Sequence, residues 1–260
     1  MPRGEGWATN FRAGAGFIRE QTPALSASKL PLILTFPNLI PPELAADLVR
    51  RLEKEELIDG RLTAGRTGQN KKRNKQLVDT PAALAMSEEI DKHLRGNRAL
   101  VDLVALKSSL PFMFNCHEPG MEYRPHTDNA IMYFKGNELR TDLSATVFLS
   151  PPDSYKGGEL VIDIDERPTP VKLPAGSIVI YQADTLHAVN VVTEGVRWCA
   201  VTWMQSRIRL PYNRTVYRRL VVAQQALSSL AAGKPESSAE SVAYENLLRA
   251  KDELLRMWAE

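Results

Sequence analysis

Two histidines and one aspartate in this chain have the side-chain types that a small iron site requires. His126 and Asp128 are two positions apart, so on a β-strand their side chains would project from one face, roughly 7 Å apart along the strand. His187 follows the strand-like run 177–180 and sits where a distant strand could lie beside the first. Two imidazoles and one carboxylate form a facial triad, which holds Fe(II) and leaves positions open for a cosubstrate and dioxygen. The His-x-Asp pattern alone is a weak signal, so the triad needs support from the elements around it.

The overall composition is that of one globular protein without a strong charge bias. With 260 residues and 43% hydrophobic residues, the chain can bury one sizeable core, and β-rich barrels of this length remain a single domain. Lysine plus arginine number 33, and aspartate plus glutamate number 31. This balance gives no electrostatic reason to expect nucleic-acid or membrane binding.

The cysteines and the N-terminus indicate the compartment. Cys116 and Cys199 are the only cysteines and lack CxxC spacing, which fits a reducing environment and excludes a zinc site built from cysteines. The N-terminus lacks the apolar segment of a signal peptide, and no run of 18 apolar residues occurs. A cytoplasmic protein is therefore expected, and the sequence leaves homodimerisation open.

Hydrophobic periodicity predicts a mainly β protein with flanking α-helices. A strand at 32–36 and helices at 42–56 and 81–95 come first. Helices at 216–230 and 241–258 come last. Between them lie eight strand-like runs with turn signals, at 112–117, 122–127, 144–149, 159–164, 170–173, 177–181, 188–192 and 198–204. Eight short strands fit a jelly-roll barrel of two stacked sheets that contains both ligand segments.

This pattern divides the chain into three regions. Residues 1–30 have little periodicity and many small residues, so they are expected to form an arm. Residues 31–215 form the main domain, with the barrel at about 110–208. Residues 216–260 form a helical extension packed on that core. Within the main domain, the polar stretch 59–79 is expected to be a solvated loop, with a substrate-facing segment as the alternative.

Arg197 adds a cation ten residues after His187. A cosubstrate with a free distal carboxylate needs a fixed cation at the end of the barrel, and guanidinium binds carboxylate in a bidentate manner. Arg197 also follows a Glu-Gly turn, where a surface residue is the ordinary expectation. The presence of the triad favours the anchor.

Several separated segments resemble the PKHD-type hydroxylases, bacterial Fe(II)/2-oxoglutarate dioxygenases related to prolyl 4-hydroxylases. The segments are YRPHTDNA (123–130), LRTDLSAT (139–146), GGEL (157–160), LPAG (173–176), SRIR (206–209) and LLR (247–249). A match spread over this many segments, from about residue 32 to residue 260, is far more specific than any one of them.

The resemblance implies a double-stranded β-helix (jelly-roll, cupin-like) core with N-terminal and C-terminal scaffold helices. It also implies His126, Asp128 and His187 as ligands of Fe(II), and Arg197 as the residue that binds the distal carboxylate of 2-oxoglutarate. The implied reaction consumes O2 and couples decarboxylation of 2-oxoglutarate, to succinate and CO2, with hydroxylation of an unactivated C–H bond. Ascorbate would be an auxiliary reductant.

The cosubstrate contacts depart from the family pattern at one position. Prolyl-hydroxylase relatives have a tyrosine about nine residues before the first histidine ligand, and this chain has Cys116-His117 there. His117 either replaces the tyrosine's hydrogen bond to 2-oxoglutarate or is a core histidine with a satisfied ring nitrogen. Tyr181 and Thr146, on strands that should line the barrel, are further candidates for cosubstrate contacts, although each is more often simple packing.

The substrate is the least determined part of the prediction. The basic cluster Lys71-Lys72-Arg73 and the stretch 132–140, which ends at Arg140, are candidate rims of the substrate mouth. Their positive charge would suit an acidic or carboxylate-bearing substrate, with Lys71, Arg73 and Arg140 as candidate contacts. Kinship with prolyl hydroxylases suggests an amino-acid-like, peptidyl or other small-molecule substrate, which is a weak warrant because it rests on the fold.

Two other classes of function remain as alternatives to the hydroxylase. The chain could be a non-catalytic cupin-like module that binds a metal or ligand as a sensor. It could also be an interaction protein whose terminal helices present Leu247, Leu254 and Trp258 to a partner, although such apolar positions more often pack against the barrel.

Overall fold

The structure is a computed structural model that describes residues 33–65, 68–164 and 166–260. The predicted arm at residues 1–30 lies outside the described residues. The first strands are β1 (Ile33–Phe36), β2 (Ile58–Asp59), β3 (Lys72–Arg73), β4 (Lys75–Leu77), β5 (Leu106–Ser109), β6 (Met113–His117), β7 (Glu122–His126), β8 (Ile131–Phe134) and β9 (Asn137–Arg140). The remaining strands are β10 (Leu143–Phe148), β11 (Tyr155–Gly157), β12 (Leu160–Ile164), β13 (Arg167–Val171), β14 (Ile178–Gln182), β15 (His187–Val189), β16 (Val192–Gly195) and β17 (Arg197–Ser206).

These strands form two principal sheets. The eight-stranded sheet has the order β1-β14-β10-β17-β6-β4-β2, with β5 also paired to β17, and the five-stranded sheet has the order β13-β12-β15-β7-β3. The hairpins β8-β9 and β11-β16 form separate two-stranded sheets. Every strand pair in the two principal sheets is antiparallel. The mainly β, double-stranded β-helix core predicted from the sequence is confirmed.

Helices cover one side of the eight-stranded sheet. They are α1 (Pro42–Leu52), α2 (Pro81–Gly96), α3 (Arg98–Val104), α4 (Pro211–Ala231) and α5 (Ala239–Trp258). The start of α2 is specified locally, because the Thr80 side chain accepts a hydrogen bond from the Ala83 amide at 3.1 Å and Pro81 occupies the first turn. None of the described helices is both long enough and apolar enough to cross a membrane.

Apolar residues form two clusters. The larger one joins the helices to the eight-stranded sheet, and the partly buried Leu255 and Trp258 of α5 pack against it. The smaller one lies between the principal sheets, since Phe148 and Val179 come from the eight-stranded sheet and Leu160 and Ile162 from the five-stranded sheet. Because Trp258 packs against the core, its prediction as part of a partner-binding face is not supported.

The stretch 59–79 differs most from the prediction. It was expected to be a solvated loop, but it contains β3 and β4, which lie on different sheets: β3 pairs with β7 of the five-stranded sheet, and β4 pairs with β6 of the eight-stranded sheet. Residues 72–77 therefore connect the two sheets. We call residues 72–77 the bridging segment.

Three smaller differences concern element boundaries. The run 188–192 is divided between β15 and β16, and α3 was not predicted because it is only seven residues long. The stretch 132–140, a candidate rim of the substrate mouth, was not predicted to contain strands and forms the β8-β9 hairpin, whose turn has Lys135 and Gly136 at positive φ. Such a turn matches the twist of a two-residue hairpin.

Candidate active site

The two histidines of the predicted triad lie on neighbouring strands. β15 pairs with β7 in the five-stranded sheet, and His187 is directly opposite His126 in the register. Their ring centroids are 4.2 Å apart. One ligand atom from each histidine and one from Asp128 all lie within 4.8 Å of one another. The expectation that a distant strand brings His187 beside His126 is confirmed.

Asp128 reaches the site by a route that differs from the prediction. It was expected to share a strand with His126, but β7 ends at His126. After that residue the backbone leaves the sheet, and the Asp128 amide donates to the Ala183 carbonyl at 3.1 Å. The Ser144 hydroxyl donates to Asp128 Oδ2 and orients the carboxylate. Asp128 is therefore positioned by a backbone hydrogen bond to Ala183 and by the Ser144 side chain of β10, and not by the alternation of side chains along one strand.

Backbone carbonyls orient both imidazoles in the same way. His126 Nδ1 donates to the carbonyl of Arg124, and His187 Nδ1 donates to that of Thr185, each at 2.9 Å. These bonds leave Nε2 of both rings available as a metal ligand. Burial, followed by the neighbouring His187, lowers the pKa of His126 to about 4. Both effects favour the neutral imidazole that metal binding requires.

A cavity of about 480 Å³ opens beside this cluster. Its lining includes the three residues of the cluster and all four residues predicted to contact the cosubstrate, which are His117, Thr146, Tyr181 and Arg197. Residues from both principal sheets and from the bridging segment contribute to its walls. The fold thus brings together side chains that are far apart in the sequence.

Arg197 is the first residue of β17 and is buried, with 1% of its surface exposed. This burial excludes the alternative of a surface residue. Its Nη1 donates to Cys199 Sγ at 3.0 Å, and its guanidinium lies 5.6 Å from the centroid of the Phe148 ring. Its Nε is buried without a hydrogen-bond partner among the described residues. A buried guanidinium with an unused donor is suited to binding an anion in the cavity.

His117 lies next to Arg197 in the strand register and is 3% exposed. Neither ring nitrogen has a hydrogen-bond partner within the described ranges, so the alternative of a core histidine with a satisfied nitrogen is not supported. Burial, followed by the Arg197 charge, keeps the pKa of His117 well below its usual value. The ring is therefore neutral at pH 7 and has both a donor and an acceptor available to a molecule in the cavity.

The low pKa of His117 predicts how the metal-free protein responds to acid. Below pH about 6.5 the unfolded chain binds a proton at this position and the folded protein does not, so this contribution to stability is lost as the pH falls. The free energy of unfolding should decrease by about 1.4 kcal/mol per pH unit for each such histidine. We expect His117→Leu to weaken this dependence between pH 6.5 and 5 in urea denaturation.

His93→Asn is the matched control for this measurement, because His93 is exposed on α2. It should leave the pH dependence unchanged. If His117→Leu retained the full pH dependence of the unaltered protein, the assignment of His117 as a buried neutral histidine would be wrong.

Tyr181 and Thr146 lie deep in the cavity, each about 3% exposed. The Tyr181 ring is 5.0 Å from the His187 ring in an edge-on arrangement. Burial, followed by the Asp128 charge, raises the pKa of Tyr181 well above its usual value, while a hydrogen bond with Thr146 acts in the opposite direction. Tyr181 is therefore a neutral hydrogen-bonding group beside the candidate metal ligands.

Only some of the residues predicted at the substrate mouth line the cavity. Lys71 lines the cavity and donates to the Pro125 carbonyl at 2.8 Å. Lys72, the central residue of that basic cluster, is buried and also lines the cavity. Arg73 is exposed and is not among the lining residues. Of this cluster, therefore, only the two lysines are positioned to contact a substrate.

Arg140 forms ion pairs within the fold and does not line the cavity. Its guanidinium forms a bidentate pair with Asp142, at 2.9 and 3.0 Å, and its Nη1 binds Glu260 Oε2 at 2.7 Å. It also donates to the Ser206 carbonyl, and it is not among the lining residues. These contacts join the barrel to the C-terminus and do not support the predicted role in substrate binding.

Sequence reasoning missed two residues that shape the metal cluster. The Tyr123 ring stacks on His126 with centroids 3.5 Å apart and planes at 16°. Ser144 orients Asp128 and is two residues from Thr146, so both side chains face the cavity from β10. Strand alternation could have identified Ser144, once Thr146 was assigned to the inner face.

Known proteins resemble the chain over most of its length. A family model described as the 2OG-Fe(II) oxygenase superfamily matches residues 112–205. A PKHD-type hydroxylase of Picosynechococcus sp. is 36% identical over 230 residues, which are 88% of this chain and 100% of that relative. A PKHD-type hydroxylase of Shewanella sp. strain MR-4 is 38% identical over 224 residues, which are 86% of this chain and 100% of that relative. The chain belongs to the PKHD-type hydroxylases.

Membership of this family confirms the enzyme class expected from the sequence. The chain is an oxidoreductase of the superfamily named for iron(II) and 2-oxoglutarate. The non-heme alpha ketoglutarate dependent epimerase SnoN from nogalamycin biosynthesis has a similar fold, with a TM-score of 0.50 and 16% identity over 67% of this chain and 78% of that one. At this identity the resemblance concerns the fold alone.

Proposed function

We propose that this PKHD-type hydroxylase binds Fe(II) through His126, Asp128 and His187 and uses 2-oxoglutarate and O2 to hydroxylate a C–H bond of its substrate. The observation that carries the proposal is the convergence of three ligand atoms within 4.8 Å at the wall of a cavity that also contains a buried arginine. A facial triad leaves coordination positions open, as this chemistry requires. When bound, iron and 2-oxoglutarate supply the oxidising power, and the protein supplies position and electrostatics.

Arg197 is proposed to bind the distal carboxylate of 2-oxoglutarate. Its buried guanidinium begins β17, and its Nε has no hydrogen-bond partner in the described part of the chain. His117, directly opposite in the register, has two ring nitrogens without a partner among the residues that the structure describes, and it would add a neutral hydrogen bond to the same molecule. Tyr181 and Thr146 complete the set of neutral polar groups at this end of the cavity.

The remaining parts of the proposal concern substrate and setting. A small-molecule or peptidyl substrate is proposed, because the cavity of about 480 Å³ has a volume typical of sites for small ligands or single side chains. Ascorbate is proposed as an auxiliary reductant. A reducing cytoplasmic setting is supported by the two cysteines, which are both buried and unpaired.

The function is tested by anaerobic titration of the Fe(II)-loaded protein with 2-oxoglutarate. We expect a metal-to-ligand charge-transfer band in the visible, and succinate should form once oxygen is admitted. Zn(II)-loaded protein is the control, because it should give neither the band nor succinate. If iron binds and no band appears at any concentration of 2-oxoglutarate, the dioxygenase proposal fails and a non-catalytic metal-binding module becomes the better account.

A further inference from the structure

Lys72 is a buried cation whose place in the fold suggests a contact with the substrate. It lies on β3 opposite Tyr123, is only 5% exposed and lines the cavity. The next residue, Arg73, is exposed, as strand alternation requires. Lysine is almost never buried to this extent unless it is paired, because removing an ammonium from water is costly.

The hydrogen-bond partner of the Lys72 ammonium in the described part of the chain is a neutral hydroxyl. Its Nζ donates to Thr63 Oγ1 at 2.9 Å, and no ion pair to a carboxylate forms within the described ranges. The Thr63 hydroxyl donates in turn to Gln76 Oε1 at 2.5 Å. Gln76 and Asn74 both donate to Asn115 Oδ1, at 2.6 and 2.8 Å. These amides hold the Thr63 hydroxyl in place, and that hydroxyl is one acceptor for the three donors of the ammonium.

The charges buried at the cavity do not balance. Lys72 and Arg197 are buried cations, and Asp128 is the one carboxylate in the candidate metal cluster. Asp79, a second carboxylate of the lining, is exposed and pairs with Lys135 at 3.3 Å. With Fe(II) and the dianion 2-oxoglutarate bound, the two added charges cancel and one positive charge remains among the buried groups, beside the half-buried Lys71 of the lining. A monoanionic group from another molecule would neutralise it.

Lys72 also lies close to the candidate metal ligands. Its Nζ is 5.3 Å from the centroid of the Tyr123 ring, and that ring stacks on His126. Burial lowers the pKa of Lys72 to about 8, while the charge of Asp128 acts in the opposite direction. The ammonium is therefore mostly protonated at pH 7, and an anionic group held there would lie beside the reactive centre.

We propose that the Lys72 ammonium binds a carboxylate of the substrate and so selects acidic substrates, which also fixes the distance from that carboxylate to the carbon that is hydroxylated. This inference rests on the proposed function, because it assumes that 2-oxoglutarate occupies the Arg197 end of the cavity. It narrows the substrate to small molecules or peptides that carry a carboxylate close to the reacting carbon.

The test compares a carboxylate probe with its neutral amide. Protein loaded with Zn(II) and 2-oxoglutarate is titrated by calorimetry with N-acetylglycine and with N-acetylglycinamide. We expect the acid to bind about tenfold more tightly, which corresponds to about 1.4 kcal/mol, because it gains one charge-assisted hydrogen bond. Lys72→Met should abolish the difference, and Lys72→Arg should retain part of it. Arg73→Met, on the exposed face of the same strand, should retain all of it.

Three results would overturn the proposal. The first is equal or unmeasurable binding of acid and amide to the unaltered protein. The second is a preference for the acid that persists in Lys72→Met. The third is a loss of 2-oxoglutarate affinity in Lys72→Met comparable to that in an Arg197 variant, which would assign Lys72 to the cosubstrate.

A second measurement uses only the unaltered protein, so it gives a result even if the Lys72 variants do not fold. The 13Cε signal of Lys72 in the unaltered, Zn(II)-loaded protein should shift on addition of N-acetylglycine and not on addition of the amide. An unresponsive signal would also overturn the proposal. Failure of the proposed function can be distinguished from failure of the Lys72 proposal. If the proposed function fails, the Fe(II) protein shows no charge-transfer band with 2-oxoglutarate, whatever Lys72 binds.

Discussion

Replacing His187 with alanine is expected to weaken Fe(II) binding by more than about 100-fold and to abolish the charge-transfer band with 2-oxoglutarate. Loss of an outer partner alone costs 10–100-fold in metal affinity, and His187 is proposed to ligate the ion directly. Its side chain is 6% exposed, and its Nε2 lies 3.8 Å from Asp128 Oδ2. Removing it leaves one imidazole and one carboxylate, which are too few ligands for a facial triad.

Ser144→Ala provides a graded test of the same site. Its hydroxyl donates to Asp128, so its loss should weaken Fe(II) binding by about 10-fold or more without removing a ligand. Ser177→Ala is the matched control, because its hydroxyl is buried without a hydrogen-bond partner in the described part of the chain. Metal affinity is measured by anaerobic equilibrium dialysis. Equal affinities for the unaltered protein and His187→Ala would refute the assignment of the metal ligands.

Replacing Arg197 with methionine is expected to weaken cosubstrate binding without lowering the free energy of unfolding. The dissociation constant for 2-oxoglutarate should rise about 100-fold, because a bidentate pair of charge-assisted hydrogen bonds is lost. The free energy of unfolding of the metal-free protein should stay the same or rise. Arg197 is buried without a carboxylate partner among the described residues, so an apolar side chain of similar length removes a costly buried charge.

Arg214→Met is the control for this comparison. Arg214 is also buried, but it lies 3.3 Å from Asp142 Oδ1 and donates to the carbonyls of Ile208 and Arg209. Its replacement removes one of the two arginines that pair with Asp142 and leaves two backbone carbonyls without their donor, so the free energy of unfolding should fall by about 1–3 kcal/mol. Urea denaturation measures stability, and the charge-transfer titration measures cosubstrate affinity. If Arg197→Met lost stability as Arg214→Met does, Arg197 would be a structural residue.

The elements that the sequence predicted well are those whose signal is apolar and local. β10 and β14 are largely buried strands made mostly of apolar and β-branched residues, and α2 begins with a capping threonine and a proline. His187 was expected where a distant strand could lie beside that of His126, and the pairing of β15 with β7 agrees with this. These features depend on hydrophobic periodicity and on short-range hydrogen bonds, which can be read from the residues themselves.

The bridging segment was missed because its alternating residues are polar. Lys72, Asn74 and Gln76 are buried, while Arg73 is exposed. This is the two-residue alternation of a β-strand, but the buried positions carry lysine and amide side chains instead of apolar ones. Such residues are read as a solvated loop when hydrophobicity is the criterion. Their burial depends on a polar cavity that only the folded barrel creates. The environment of Arg140 was missed for a similar reason, since Glu260 approaches it only in the tertiary structure.

The pairing of β1 with β14 affects how the chain folds during synthesis. Ile33 lies opposite Tyr181, so these partners are separated by about 150 residues, and contacts of such long range form slowly. β1 leaves the ribosome early and cannot pair until β14 has followed it. Until then β1 lacks this strand partner, and its unpaired backbone groups are a site for association with another chain. The interval between their emergence is therefore the period in which the nascent chain is most exposed to aggregation.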